Sequence, residues 1–195
     1  MTRPRLDPLT ARRFRTGRAC LDFVHTGGVG RWIAAELVHD ETDLARWLAH
    51  VLDLPHVEAR PEDLPAARRL REALWNLAQD RVAGRPLGRT ARAEVNAAAA
   101  APALVPRLES DGSAGLAGPI RAQQALSTLA RDAIDLFSGP LGDRIRACEA
   151  PDCELLFVDA SRPGRRRWCS MERCGSLSKM RTYRRRRSAA RPAAD

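Results

Sequence analysis

Four cysteines near the C-terminal end of the chain form two identical pairs. Cys148 and Cys153 make one C-x4-C unit, Cys169 and Cys174 make a second, and fifteen residues separate the two units. Two short loops of this kind around a hairpin-sized segment can direct four thiolates at one tetrahedral Zn²⁺. With four protein ligands and no open position, the ion would be structural. Two disulfides, or four unrelated thiols, are the alternatives.

Positive charge is concentrated beside these cysteines. The net charge is +9, and residues 144–195 hold 14 of the 33 basic and 6 of the 24 acidic side chains, a net +8. This asymmetry indicates a polyanionic partner for that segment. The run at 184–187 covers every side of a helix and resembles a phosphate clamp more than a sequence reader. The candidate nucleic-acid contacts are Arg162, Arg165, Arg166, Arg167, Lys179, Arg181, Arg184, Arg185, Arg186 and Arg187.

The cysteine-rich segment is predicted to be a small module of knuckle, hairpin and helix. Cys148–Cys153 forms the knuckle, residues 155–158 and 165–168 form the two strands, and a helix runs from Cys169 to about residue 186. This is a treble-clef-like arrangement. A strand over 165–168 would place Arg166 and Trp168 on one face, and Trp168 is expected in the core of the module. About 45 residues bury little apolar surface, so folding is expected to need the metal.

Helical periodicity dominates residues 1–143 and predicts a mainly α domain of four or five helices. The first begins after Thr42 as N-cap and ends at Leu54-Pro55, the second runs from 61 or 64 to Val82 with Gly84 as the stop, and the third spans about 90–101. The fourth ends at Ser138-Gly139-Pro140. The residues expected to face the core are Leu44, Trp47, Leu48, Val51, Leu52, Leu70, Leu74, Leu77, Ala78, Leu126, Leu129, Ala130, Ala133, Ile134 and Phe137.

Two shorter features complete this part of the chain. Residues 103–117 surround Asp111-Gly112 and predict a β-hairpin. The apolar run 20–26 fits either a helix or a strand, and Cys20 within it is expected to be a buried core thiol.

No apolar run is long enough to span a bilayer, and the N-terminal residues lack the apolar core of a signal peptide. We therefore expect a cytoplasmic protein.

The cysteine module resembles the CGNR zinc-finger family. The resemblance rests on the four cysteines with Phe157, Asp159 and Ser161, and on the run Arg166-Arg167-Trp168-Cys169-Ser170-Met171 followed by Cys174-Gly175. The upstream run at 21–26, Leu-Asp-Phe-Val-His-Thr, is similar to the opening of the ABATE domain. Together the two resemblances span residues 14–187. They imply a bacterial transcription regulator with a DNA-binding finger. The family's Asn-Arg pair is replaced here by Ser176-Leu177, and His25 stands where Asn is common.

These observations predict a DNA-binding regulator with two domains. Residues 1–143 would form an ABATE-like sensor or dimerisation domain, and residues 144–195 a four-cysteine zinc finger with a basic tail. Possible partners are DNA, RNA, a second copy of the chain, a protein bound by the finger, and a small-molecule effector near Asp22 and His25. The same Asp–His pair could act as base and orienting group in an enzyme, but we expect no catalysis.

Overall fold

The computed structural model describes residues 16–30 and 36–189, and the side chains of 185–189 lie outside that description. It confirms a mainly α fold followed by a cysteine-rich module. Two antiparallel hairpins pair β1 (Pro106–Leu108) with β2 (Ala114–Leu116) and β3 (Ile145–Ala147) with β4 (Leu156–Val158). The helices of the described residues are α1 (Ala19–Val24), α2 (Glu41–Val51), α3 (Asp63–Val82), α4 (Arg89–Ala100), α5 (Ala122–Ser138) and α6 (Ser176–Ala189). None of them combines the length and the apolar character that crossing a bilayer requires.

The run that fitted either a helix or a strand is the short helix α1, which packs against α3 and α5. Cys20 is fully buried there, as expected. Asp132 of α5 anchors the start of α1, because its carboxylate accepts the Cys20 backbone N–H at 2.9 Å and the Arg18 guanidinium at 2.8 Å. A backbone donor at a helix N-terminus has no partner within the helix, so this carboxylate supplies one from a neighbouring helix.

Helix α2 begins earlier than the sequence predicts. Its N-cap is Asp40, whose carboxylate accepts the Asp43 backbone N–H at 2.8 Å. The expected cap, Thr42, lies inside the first turn, so that prediction is wrong. Aspartate caps helices at least as well as threonine, and at position 40 it satisfies a first-turn donor. The predicted core residues Leu44, Trp47 and Leu48 are buried.

The predicted faces of α3 and α5 are confirmed with one exception. The α3 residues expected in the core are buried, and Gly84, with φ of +66°, follows the end of that helix. On α5, Ile134 is 39% exposed, which corrects its assignment to the core face. The buried stripe of α5 continues through Ala133, Leu136 and Phe137, and Ile134 lies one position outside it. The β1–β2 hairpin also forms as expected, with Gly112 (φ +82°) in its turn.

The second hairpin differs from the prediction. β4 pairs with β3, which precedes the first cysteine, and residues 165–168 form no strand. The loop after β4 is closed by the buried Asp159, whose carboxylate accepts the Ser161 N–H and hydroxyl and the Arg166 N–H at 2.5–3.0 Å. This closure folds the chain back before a returning strand can form. The knuckle is therefore the tip of the β3–β4 hairpin.

Strand β4 is shared by two hydrophobic cores. Leu156 and Val158 belong to the main core of the helical part, whereas Phe157 lies in a separate cluster with the cysteines. Successive side chains of a strand point to opposite faces, so a three-residue strand serves both cores. The backbone N–H of Val158 also donates to the Thr16 carbonyl at 2.7 Å. The finger is thus built onto the helical core through β4.

Candidate metal centre and the basic surface beside it

The four paired cysteines converge on one point. Cys148 and Cys153 flank the hairpin tip, Cys169 follows the closed loop, and Cys174 lies in a π-helical turn, Met171–Gly175, that leads into α6. Their four sulfur atoms all lie within 4.8 Å of one another. The Sγ–Sγ distance is 3.5 Å between Cys153 and Cys169 and 3.6 Å between Cys169 and Cys174. All four thiols are free of disulfides.

These distances fit a zinc ion. A tetrahedral site with Zn–S bonds of about 2.3 Å has sulfur–sulfur edges of about 3.8 Å, close to the two distances above. Three of the four cysteines are buried, and four thiolates complete the tetrahedral coordination of a structural zinc ion. The donor set therefore suits a structural Zn²⁺ bound by Cys148, Cys153, Cys169 and Cys174, and the convergence of all four sulfur atoms favours this site over two separate disulfides.

Crowding of the sulfur atoms changes the acidity of the thiols. Burial raises the pKa of Cys153 to about 11, and burial together with the neighbouring Cys153 and Cys174 raises the pKa of Cys169 further. Burial also acts on Cys148, but N–H groups of Cys169 and Ala150 outweigh it and lower the pKa of that thiol. A bound cation favours thiolate at such positions, so zinc binding would release protons.

Arg166 is half-buried and contacts the core of the finger. Its guanidinium lies 4.7 Å from the centroid of the Phe157 ring. It donates to the carbonyl of Trp168 at 2.8 Å and to the carbonyl of Cys169. These contacts hold the segment that carries the third cysteine against the core of the finger. The neighbouring Arg165 is exposed.

Arg166 and Arg165 are therefore expected to differ when each is replaced by alanine. Arg166→Ala removes two hydrogen bonds from a charged donor, each worth about 1.5–3 kcal/mol, and we expect faster loss of zinc to a chelator. Arg165→Ala should retain zinc like the wild type, because its side chain is exposed. A colorimetric zinc-release assay measures the difference. Equal zinc retention by the two variants would contradict the structural role of Arg166.

Two family models cover most of the chain. The model described as "CGNR zinc finger" matches residues 144–187. The ABATE model, described as "Putative stress-induced transcription regulator", matches residues 17–140. The chain belongs to the ABATE family. A comparison with curated proteins finds no match. The order of an ABATE domain followed by a CGNR zinc finger is the one that the sequence resemblance implied.

In this ABATE protein, the basic residues that follow the knuckle fall into two groups. The first group contacts the finger itself and includes Arg166. Its other two members form ion pairs with acidic residues of the knuckle, Arg167 with Glu149 at 2.5 Å and Arg181 with Asp152 at 2.6 Å. A second group is exposed and has no acidic partner among residues 16–30 and 36–184. The side chains at positions 185, 186 and 187 lie outside the described residues. The second group consists of Arg162, Arg165, Arg173, Lys179 and Arg184.

Arg173 is a candidate contact that the sequence reasoning missed. It lies in the π-helical turn between Cys169 and α6, and its side chain is exposed. Its backbone N–H donates to the Ser170 hydroxyl at 3.4 Å, the hydroxyl that caps this turn. Its position between two zinc ligands was the available signal, because a residue there is held in place by the metal centre.

Asp22 and His25 have separate partners in the ABATE domain. The Asp22 carboxylate accepts the Thr16 hydroxyl at 2.7 Å, and burial raises its pKa to about 6. The fully buried His25 accepts the Leu156 backbone N–H at Nε2, at 3.0 Å, and burial lowers its pKa to about 4. A neutral imidazole is required for this hydrogen bond. His25 thus links the ABATE domain to β4 of the finger.

Proposed function

We propose that this protein is a DNA-binding transcription regulator whose zinc finger presents an arginine-rich surface to the duplex. The observation that carries the proposal is the group of exposed cations without acidic partners, in the described part of the chain, beside a four-cysteine metal centre. Arginine and lysine at such a surface bind phosphate oxygens. Membership of a family described as a transcription regulator supports the same role.

The two parts of the chain would divide the work of regulation. Residues 1–143 act as a sensor or dimerisation domain, and residues 144–195 bind nucleic acid. One finger of this size covers few base pairs, so a homodimer on two half-sites would add specificity. In this proposal the protein acts in the bacterial cytoplasm and catalyses no reaction, and a small-molecule effector would act on the helical domain.

The proposal predicts a steep dependence of DNA affinity on salt. Five phosphate contacts would give a slope of log affinity against log salt of about −4.5, and a loss of several hundredfold between about 50 and 200 mM salt. Replacing Arg165, Arg173 or Arg184 with alanine should make the slope shallower by about 0.9 for each phosphate that is no longer bound. Fluorescence anisotropy with the zinc-loaded protein and a labelled duplex measures both values.

Arg107→Ala is the matched control for these variants. It removes the same charge from the β1–β2 hairpin, where Arg107 already pairs with Glu109 at 2.8 Å, so the slope should stay unchanged. A zinc-loaded protein without salt-dependent DNA affinity would refute the proposal. Tighter binding to RNA than to DNA of the same sequence would assign the finger to RNA. DNA binding only at low salt, with tight capture of an acidic protein, would assign it to a protein partner.

A further inference from the structure

Helix α6 exposes large apolar side chains among its cations. Leu177 is 50% exposed, Met180 51% and Tyr183 65%. Lys179 and Arg184 are exposed on the same helix. Large apolar side chains at half exposure or more carry a hydration cost that a binding partner removes. Binding of phosphates by the cations therefore does not explain why α6 exposes these apolar side chains.

One side of α6 faces the knuckle. Arg181 pairs with Asp152 of the knuckle, and Ser178, three residues earlier, is partly buried. Because each helical residue turns by about 100°, Met180 and Tyr183 lie on the opposite, outer side. Around that outer side, Lys179 flanks Tyr183 and the cation of Arg184 flanks Met180. Leu177 lies nearer the knuckle edge.

The charges around this outer face indicate which partner covers it. A helix that docks in a protein groove presents apolar anchors at i, i+3, i+4 and i+7. Counted from Leu177, the i+4 and i+7 positions are Arg181 and Arg184, so the anchor set is broken by arginine. A second copy of α6 would place like charges opposite one another, which is unfavourable. The face complements a polyanion that also offers apolar surface.

Duplex DNA offers such a surface in its major groove. The groove is about 12 Å wide and admits an α-helix, and the C5-methyl group of thymine is its apolar feature. We infer that Met180 and Tyr183 contact thymine methyl groups in the major groove, with Lys179 and Arg184 on phosphates at either side. This inference rests on the proposed function, and it names the residues that would give DNA binding a preference for thymine.

The test compares two duplexes that differ only in those methyl groups. The zinc-loaded full-length protein is titrated with an alternating dA–dT duplex and with an alternating dA–dU duplex of equal length, at equal salt. The wild type should bind the dA–dT duplex at least about fourfold more tightly, the ratio that burying one methyl group produces. A double variant, Met180→Ala with Tyr183→Ala, should bring the ratio close to one.

Two variants serve as controls, and zinc content confirms that each is folded. Leu177→Ala removes a similar amount of apolar surface from the same helix and should leave the ratio at the wild-type value. Tyr183→Phe keeps the ring and should do the same. A wild-type ratio of one, with salt-dependent binding to both duplexes, would overturn this inference and leave the proposed function standing. Absence of binding to either duplex would refute both.

Discussion

Cys169→Ser is expected to abolish zinc binding and, if the proposed function holds, to reduce DNA affinity by at least about a hundredfold at moderate salt. Cys169 contacts two other ligands, and its backbone N–H lies 3.4 Å from the Cys148 sulfur. Structural zinc sites contribute roughly 10–16 kcal/mol to small domains, more than a finger of this size gains from its apolar cluster. Without the metal, Arg173 and the exposed cations of α6 lose their common scaffold.

The measurement is zinc stoichiometry by native mass spectrometry together with DNA affinity. Cys20→Ser provides the matched control, because Cys20 is buried in the helical core and lies outside the four-cysteine cluster. That variant should keep one zinc ion per chain and wild-type DNA affinity. If Cys169→Ser retains zinc and binds DNA normally, the metal centre does not organise the basic surface.

Leu156→Ala is expected to destabilise the helical domain, although Leu156 lies within the residues matched by the zinc-finger family. The side chain is fully buried in the main core. Truncation of a buried leucine to alanine costs about 2–5 kcal/mol. Because Leu156 packs against the helices, we expect the loss in the unfolding transition of the helices themselves.

Denaturant unfolding followed by circular dichroism at 222 nm measures this loss, because most of the helical signal comes from α2 to α5. Leu108→Ala is the control, since Leu108 is 79% exposed on β1 and its truncation should leave the midpoint unchanged. If Leu156→Ala releases zinc but leaves the helical transition at the wild-type midpoint, the two parts are independent and the shared strand is incidental.

The helical part of the fold could be predicted because its helices are long and periodic. The buried stripes of α2, α3 and α5 repeat every three or four residues, and this spacing identifies a packed helix face. The run that forms α1 is too short to show a period, and its state depends on contacts with α5. The position of Ile134 depended on which neighbours cover α5, and a single periodic pattern does not contain that information.

The metal centre was predictable for a different reason. Thiolate chemistry and spacing together leave few alternatives for four closely spaced cysteines. Strand pairing within the finger was not predictable, because β3 precedes the first cysteine and Asp159 closes the loop where a returning strand was expected. The inward position of Arg166 also followed from that closure. Among ten basic candidates of similar type, composition could not separate those that brace the finger from those that face solvent.

The shared strand also bears on how such proteins can be recombined. A finger that carried its own core could be exchanged between proteins by joining chains at the linker before it. Here the exchange would bring a foreign β4 against the helices, since the Leu156 and Val158 side chains complete the core of the preceding domain. A functional chimera would need matched residues around Thr16 and His25, which hydrogen-bond to the backbone of β4. We therefore expect related chains to carry the helical domain and the zinc finger together, as one unit.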